Sequence, residues 1–373
     1  MNIKPFKVEK WMNEFEDSAI YNLGETCIDS LTVKGLVGLC GEDLAEHMAN
    51  VADTRLSYGN IYGSPDLKNG IAGLYESIAP DDVIVTHGAI GANYQVINTI
   101  IEPHDNMVCV MPTYQQHYSI PESIGAQVRI IKLSPENGFL PDIAELESLV
   151  DKNTKVITIN NPNNPSGSWI PPQRMRQIAE IAERAGAYVL CDEVYRGISE
   201  DGSYMESITD LYDKGISVGS MSKIFSMAGL RLGWIATKDL EVRQGCLDRR
   251  DYDTISCGVL DDYFAALALK HKDKIIARNR AIIEKNRAIL DEWVRQTPNV
   301  SYQRPVAGTT ALVYYKGNIT SYELAVRLIR EKGVLVTPGY CFELENCLRV
   351  GYAYDSVKLR QGLDLIAEVI KSL

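Results

Sequence analysis

The sequence of 373 residues lacks the cysteine patterns that would indicate a bound metal or a disulfide framework. Its eight cysteines form no Cys-x-x-Cys pair, and no Cys/His cluster has the spacing of a zinc finger. In a chain of this length we expect the cysteines to be reduced thiols of a cytosolic protein, and we predict no metal site. Residues 1–17 carry several charged side chains and therefore contain no apolar signal core.

Long hydrophobic runs and an excess of positive charge are also missing. The longest early stretch without Asp, Glu, Lys or Arg, residues 83–101, contains Thr86, His87 and Asn93 and is too polar to cross a membrane. The chain has 38 Lys and Arg residues against 49 Asp and Glu residues, and a net charge of −11 disfavours a general polyanion binder. We therefore expect a soluble cytoplasmic protein that binds neither nucleic acid nor a membrane.

What the sequence does contain is a series of short apolar runs in its central part. They are rich in β-branched residues and bounded by Gly, Pro, Asn or Asp, which is typical of strands. Continuous apolar runs indicate strands covered on both faces, and hence an α/β fold with a mostly parallel sheet between helices. The predicted strands are 83–86, 107–111, 128–131, 156–159, 188–191, 216–218 and 232–236.

The pattern changes after Leu240. Residues 270–296 repeat isoleucine every seven residues, at Ile275, Ile282 and Ile289, which predicts a long helix with one packing face. Its many Lys and Arg residues indicate a solvated face rather than a nucleic-acid surface. Strand and helix signals alternate again at 310–315, 322–331 and 334–337, as in a smaller α+β domain. We predict an N-terminal arm or part of the small domain in 1–45, a large domain in 46–284 and the C-terminal small domain in 285–373.

The stretch that indicates chemistry surrounds Lys223. Ser220 and Ser222 precede this lysine, and Arg231 follows it inside a Gly-Leu-Arg-Leu-Gly run, residues 229–233. Such a lysine suits a Schiff base, because the hydroxyls and the guanidinium can hold a phosphate while the amine reaches an aldehyde. The alternative is a surface lysine in a Ser/Gly loop, but the arginine inside the glycine pair favours the Schiff base.

Two further segments supply the remaining needs of a pyridoxal phosphate site. Asn164 lies in an Asn-Pro-Asn-Asn-Pro-Ser-Gly run after one predicted strand, and Asp192 and Tyr195 follow the next strand. A carboxylate can keep the pyridine nitrogen protonated, and Asn164 and Tyr195 can donate hydrogen bonds to the ring's phenolic oxygen. All three lie at carboxyl ends of strands, where ligands of open α/β sheets bind. Taken singly, the two segments could also be a plain turn and a helix cap.

Together these motifs resemble the class I/II aminotransferases, which are fold-type I pyridoxal phosphate enzymes. The resemblance runs from residues 21–24 to residues 348–352 and keeps the family's order and spacing of motifs. It implies a seven-stranded, mostly parallel sheet in a large pyridoxal-phosphate-binding domain, with a smaller α+β domain beside it. It further implies that Lys223 binds the cofactor covalently and moves a proton, that Asp192 pairs with the pyridine nitrogen, and that Tyr195 and Asn164 bind the phenolic oxygen.

The resemblance also implies which residues hold the phosphate. Side chains of Ser220, Ser222 and Arg231 are implied ligands. The turn that opens the helix after the first strand contains Ala89 and Ile90, whose backbone amides are implied to bind the same anion.

Other residues are assigned by the resemblance to the ring, the substrate and the partner subunit. Tyr114 is implied to stack on the pyridine ring, and Tyr58 to reach the phosphate of the neighbouring subunit. Arg349 is implied to bind the substrate α-carboxylate with its forked guanidinium, beside Gly24 and Asn164. His117 stands where some members carry a histidine that bonds the pyridine-binding carboxylate; a surface histidine is the alternative.

Two segments depart from the family pattern and leave the substrate open. Gly24 is followed by Glu25, Thr26 and Cys27 where a Gly-Glu-Pro-Asp run is usual, and residues 305–310 lack a bulky aromatic. Arg249 and Arg250 could bind a second carboxylate, but their alignment with the family is loose and a solvated helix face is the favoured explanation.

The implied function is amino-group transfer between an amino acid and a 2-oxo acid by a pyridoxal-phosphate-dependent homodimer with a shared active site. The same site could instead support β-elimination, decarboxylation or a cyclisation like that of capreomycidine synthase. A regulatory protein that binds the cofactor without catalysis is a further alternative, but the joint presence of Lys223, Asp192 and Arg349 argues against it.

Overall fold

The computed structural model describes residues 3–373. The helices are α1 Lys7–Phe15, α2 Val33–Cys40, α3 Leu44–Asp53, α4 Pro65–Ala72, α5 Gly88–Ile100, α6 Gln116–Ile124, α7 Ile143–Leu149, α8 Pro172–Ala185, α9 Ile208–Leu211, α10 Leu240–Asp253, α11 Val259–Lys270, α12 Lys272–Gln296, α13 Ser321–Lys332 and α14 Ser356–Lys371. The strands are β1 Tyr21–Asn22, β2 Val83–His87, β3 Asn106–Met111, β4 Gln127–Lys132, β5 Thr154–Asn160, β6 Tyr188–Asp192, β7 Gly215–Ser220, β8 Leu232–Ala236, β9 Val300–Tyr302, β10 Thr310–Tyr315, β11 Val334–Leu335, β12 Thr337–Pro338 and β13 Cys347–Gly351.

A seven-stranded sheet with the order β2-β8-β7-β6-β5-β3-β4 occupies the centre of the fold. Strand β8 is antiparallel to both of its neighbours, and the other pairs are parallel. Every residue of β7 and β8 is buried, because helices cover both faces of the sheet. The predicted α/β class and mostly parallel sheet are therefore confirmed. The carboxyl ends of β2, β3, β5, β6 and β7 lie at one edge of the sheet, together with the amino end of β8.

A smaller α+β part accompanies this sheet, as predicted. It contains a four-stranded antiparallel sheet, β12-β13-β10-β9, and a short parallel pair of β1 with β11. Residues 334–337, expected as one strand, form two. Val334 pairs with Tyr21, whereas Thr337 pairs with Arg349, so the two halves of this segment belong to different sheets.

The long helix predicted over residues 270–296 begins at Lys272, because Lys270 still belongs to α11 and His271 lies between the two helices. Ile275, Ile276 and Leu290 of α12 are buried in a core that also contains residues of α14 and β13. Position 285, expected as a domain boundary, therefore lies within a continuous helix of 25 residues. The division at 45 and 285 stays a prediction.

The N-terminal helix α1 is anchored to the smaller part of the molecule. Trp11 is 4% exposed, and its Nε1 donates a hydrogen bond to the carbonyl oxygen of Val336 at 2.8 Å. Its ring packs against Phe15 with the ring centroids 4.5 Å apart. With Trp11 anchored in this way, Glu9 and Met12 of α1 face the edge of the large sheet described above.

The junction between β8 and the start of α5 is packed backbone against backbone. A Cβ atom on Gly233 would lie 2.4 Å from the carbonyl carbon of Gly88 and 2.6 Å from the nitrogen of Ala89. A Cβ atom on Gly229, four residues earlier, would meet nothing within 4 Å. Of these two positions, only 233 therefore requires glycine, because the backbone of α5 approaches it closely.

We expect Gly233→Ala to lower the free energy of unfolding by about 1–3 kcal/mol, because backbone atoms cannot move aside as a flexible side chain can. Gly229→Ala is the matched control and should change the free energy of unfolding by less than about 0.5 kcal/mol. Urea denaturation of both variants measures the difference. Equal stability of the two would contradict the close packing.

Candidate active site

A cavity of about 380 Å³ opens at the carboxyl edge of the large sheet, beside α1 and β13. It gathers residues from loops that are far apart in the sequence, because parallel strands end at the same edge. The cavity is lined by all the residues expected there from the sequence except Tyr58, namely Gly24, Ala89, Ile90, Tyr114, Asn164, Asp192, Tyr195, Ser220, Ser222, Lys223, Arg231 and Arg349.

Lys223 lies in the loop after β7, and its Nζ donates a hydrogen bond to Thr26 Oγ1 at 2.5 Å. Cys27 Sγ is 3.5 Å from the same nitrogen. Burial lowers the pKa of Lys223, but electrostatic interactions with Cys27, Tyr195 and Glu25 raise it, and the net pKa lies above its ordinary value. Burial raises the pKa of Cys27 to about 11, so at neutral pH Cys27 is an uncharged thiol and Glu25 supplies the negative charge.

Glu25 is held in its ionised form by its surroundings. Its Oε1 accepts hydrogen bonds from the backbone nitrogens of Thr26 and Cys27, both at 2.8 Å. Burial opposes ionisation, but the charge of Lys223 and these backbone donors lower the pKa of Glu25 overall. The turn that replaces the usual Gly-Glu-Pro-Asp run thus positions an acceptor, a thiol and a carboxylate around the lysine.

Asp192, at the end of β6, is 5% exposed. Asn93 Nδ2 donates to its Oδ2 at 3.0 Å, and the backbone nitrogen of Val194 donates to its Oδ1 at 3.2 Å. His117 Nε2 lies 3.6 Å from Oδ2. Because His117 is 1% exposed, the surface alternative for this histidine is wrong, and it lies against the carboxylate.

The start of α5 forms an anion-binding cradle. Gly88, with φ of +67°, begins the helix, and a Cβ there would lie 3.1 Å from Arg231 Nη2. Among residues 3–373 no side chain caps the first turn, so the backbone N–H groups of this turn are available to an anion. Ser220, at the end of β7, lines the same cavity, as do Ser222 and Arg231 in the loop between β7 and β8.

Arg349, on β13, is 2% exposed and is held on two sides. Its Nη2 donates to the carbonyl oxygen of Gly24 at 2.7 Å and to Thr337 Oγ1 at 2.9 Å, and its Nη1 donates to Asn164 Oδ1 at 3.2 Å. Among the described residues no group accepts a hydrogen bond from its Nε. Burial lowers the pKa of this guanidinium. A buried cation with spare donor capacity is therefore presented to the cavity.

Tyr114 connects the N-terminal segment with the cavity. Its hydroxyl donates a hydrogen bond to Glu9 Oε1 at 2.6 Å, and its ring lies 4.8 Å from the ring of Phe6. Burial raises the pKa of this phenol well above its ordinary value, so it stays a donor.

Three residues considered from the sequence lie elsewhere. Tyr58 is 66% exposed and lines a separate pocket with His87 and Asp261. Arg249 is exposed and Arg250 is buried, with its guanidinium 5.1 Å from the ring centre of Tyr62. Neither arginine lines the cavity described above, so within one chain neither offers a second carboxylate ligand there.

Sequence reasoning missed the wall that α1 contributes. Val8, Glu9 and Met12 line the cavity, as does Glu16 just beyond the helix. The spacing of Glu9, Met12 and Glu16 places them on one helical face, which was the signal available. Asn93 was missed too, although it lies one helical turn after Ala89.

Comparisons with known proteins agree with this geometry. The family described as aminotransferase class I and II matches residues 39–366. The chain belongs to this family. Its members are pyridoxal-phosphate-dependent transaminases that act on amino acids and 2-oxo acids, so the predicted enzyme class and type of reaction are confirmed. None of the helices in residues 3–373 has an apolar stretch long enough to cross a membrane.

Several relatives of this aminotransferase are known. A solved pyridoxal-phosphate-dependent aminotransferase from Streptococcus suis is 41% identical, has a TM-score of 0.96 and covers 100% of this chain and 99% of its own. Capreomycidine synthase from Streptomyces vinaceus is 29% identical over 77% of this chain and 74% of its own length. An aspartate aminotransferase from Sulfurisphaera tokodaii is 28% identical over 85% of this chain and 83% of its own length.

Proposed function

We propose that this cavity binds pyridoxal phosphate through Lys223 and moves an amino group between an amino acid and a 2-oxo acid. The observation that carries the proposal is the placement of Lys223 in one cavity with a fixed carboxylate, an anion cradle and a buried arginine. When bound, pyridoxal phosphate supplies an electron sink for the charge left at the substrate Cα after its proton is removed.

The residues present fit the cofactor. Gly88 and Arg231 pack closely, since a Cβ atom on Gly88 would lie 3.1 Å from Arg231 Nη2, and the cradle that they form presents donors suited to a phosphate. Asp192, fixed by Asn93 and Val194, would hold a protonated ring nitrogen.

The ring's phenolic oxygen requires hydrogen-bond donors, which Asn164 and Tyr195 would supply. Asn164 Oδ1 already accepts a hydrogen bond from Arg349, so its Nδ2 is the atom left to donate. The Tyr195 side chain is buried beside it in the cavity. Tyr114 lines the cavity from the loop after β3 and would cover one face of the ring.

Lys223 would accept the proton from the substrate Cα and return it. Its amine is positioned by Thr26, and the carboxylate of Glu25 increases its basicity. Arg349 would bind the α-carboxylate and thereby fix which substituents of Cα face the lysine. The alternative chemistries of elimination, decarboxylation and cyclisation use the same residues, and the similarity to capreomycidine synthase supports them only weakly.

We expect borohydride reduction of the protein loaded with pyridoxal phosphate to attach the cofactor to Lys223, as peptide mapping by mass spectrometry would show. Lys223→Ala should lower kcat at least about a thousandfold, because the covalent attachment point and the base are both lost. Lys155→Ala, at an exposed position on β5, is the control and should retain activity. Attachment to a different lysine would overturn the assignment.

Arg349→Lys tests the binding of the α-carboxylate. The substitution keeps the charge but loses the fork that can bind a carboxylate with two hydrogen bonds, so we expect kcat/KM for every amino acid to fall at least about tenfold. The surface variant Arg360→Lys is the control, and half-reaction kinetics are the measurement. If Arg349→Lys lowered kcat/KM for an amine without a carboxylate as much as for the amino acids, Arg349 would not be the site of the α-carboxylate.

We also propose that two copies of the chain share their active sites, with Tyr58 reaching the phosphate of its partner. Tyr58 lies outside its own cavity and is 66% exposed, and the neighbouring Leu56 and Tyr62 are 81% and 58% exposed. Exposed apolar side chains close together suit an interface between subunits. The predicted cytoplasmic location stays a prediction.

Subunit mixing tests the shared site. In a heterodimer of Tyr58→Ala and Lys223→Ala chains, the site that keeps Lys223 receives an intact Tyr58 from its partner. We therefore expect activity to recover to about half of the wild-type value per heterodimer. The control pair, Arg349→Ala with Lys223→Ala, should not recover, because both residues line one cavity of the same chain. A monomer in analytical ultracentrifugation, or no recovery after demonstrated exchange, would contradict the shared site.

A further inference from the structure

Three carboxylates line the cavity in addition to Asp192. Glu9 comes from α1, Glu16 from the turn that follows it, and Glu25 from the segment after β1. Glu9 and Glu25 are partly buried, whereas Glu16 is exposed at the rim. This set of three is called the acidic wall below.

The acidic wall interacts electrostatically with two cations of the cavity, Glu9 and Glu25 with Arg349 and Glu25 with Lys223, but at more than ion-pair distance. Within residues 3–373 none of the three carboxylates forms an ion pair with a basic side chain. The basic residues that line the cavity are Lys223, Arg231 and Arg349, and the proposed function already gives each of them a partner.

Each carboxylate of the acidic wall is oriented by neutral donors through one of its oxygens. Tyr114 donates to Glu9 Oε1 at 2.6 Å, and Asn22 Nδ2 donates to Glu16 Oε1 at 3.1 Å. The backbone donors to Glu25 likewise bind its Oε1. Burial and the nearby negative charges of Glu25, Asp17 and Glu9 raise the pKa of Glu16. The wall therefore concentrates negative charge that a cation would relieve.

A second observation shows that a ligand belongs in this cavity. Arg349 is 2% exposed, and its Nε has no hydrogen-bond partner among the described residues. Asn93 also lines the cavity, and its Oδ1 is buried without a hydrogen-bond partner within residues 3–373. Buried polar atoms of this kind are satisfied by ligands, and a carboxylate suits the guanidinium.

A substrate anchored at Arg349 by its α-carboxylate has its side chain left to meet the rest of the cavity. A second carboxylate would meet the acidic wall with no basic residue of this chain left to balance it. An ammonium or guanidinium group would instead gain hydrogen-bonded carboxylate partners that are already oriented.

We propose that the amino donor of this aminotransferase is a basic amino acid, of the lysine, ornithine or arginine class, whose cationic side chain binds the acidic wall. The inference rests on the proposed function, because it takes Arg349 as the site of the α-carboxylate and Lys223 as the reacting centre. Glu9 and Glu16 determine the preference, whereas Glu25 is committed mainly to the turn around Lys223.

Isosteric pairs of amino acids test the proposal directly. L-Arginine is compared with L-citrulline, and L-lysine with L-norleucine, because each pair differs in side-chain charge at nearly equal length. The measurement is kcat/KM of the half-reaction, followed by the absorbance of the bound cofactor. We expect the basic member to be favoured at least about tenfold, and L-aspartate and L-glutamate to be the poorest substrates.

Charge-removing variants test the two residues. Glu9→Gln combined with Glu16→Gln should lower kcat/KM for the basic amino acids at least about tenfold more than it lowers kcat/KM for norleucine. Glu14→Gln, at an exposed position of the same helix that does not line the cavity, is the matched control. Glu16→Lys, at the exposed rim, should shift the preference toward the acidic amino acids.

A binding measurement separates affinity from turnover. The Lys223→Ala protein loaded with pyridoxal phosphate should bind L-arginine more tightly than L-citrulline in isothermal titration calorimetry, and the Glu9→Gln/Glu16→Gln substitutions should abolish the difference. The proposed role of the acidic wall would be wrong if the enzyme preferred acidic or neutral amino acids, or if the variants left its preference unchanged. Either result would leave the proposed function standing. If no amino acid alters the cofactor absorbance, the proposed function itself fails.

Discussion

Arg349 donates hydrogen bonds to Gly24, Thr337 and Asn164, which lie in three separate parts of the chain. Gly24 follows the short strand β1, Thr337 belongs to the smaller antiparallel sheet, and Asn164 stands in the loop after β5 of the large sheet. Burying a guanidinium without hydrogen-bond acceptors costs much free energy. The buried Arg349 therefore holds these three segments together. These hydrogen bonds join the smaller part of the fold to the edge of the large sheet at the wall of the cavity.

The charges of the cavity are arranged so that each has a separate use. Asp192 is fixed by Asn93 and a backbone nitrogen on one side, and the cradle around Gly88 presents donors to an anion on another. Arg349 occupies the side toward β13. The acidic residues of α1 and the following turn close the remaining side, and the hydrogen bond of Tyr114 to Glu9 connects that side to the loop after β3.

This division explains how one family fold can serve different substrates. The residues proposed to hold the cofactor lie at strand ends of the large sheet, where the backbone fixes their positions. The wall that meets the substrate side chain comes from α1, which Trp11 anchors through its hydrogen bond to Val336. Sequence changes in this helix can alter the side-chain pocket without disturbing the phosphate cradle or Asp192.

The sequence by itself determined the seven strands of the large sheet, since short β-branched runs between turn residues have few other uses in a chain of this composition. It also indicated Lys223, Asp192 and Arg231, because their motifs combine residue types that only one kind of chemistry requires together. The split of residues 334–337 between two sheets was not predictable, because strand pairing depends on partners far away in the sequence. The sequence left two alternatives for His117, and the tertiary structure decided for burial against Asp192. The position of Glu9 and Glu16 in the same cavity as Arg349 was decided by the tertiary structure alone. Such positions depend on how α1 and β13 pack against the sheet edge, and no local pattern encodes the distance between segments that the folded core brings together.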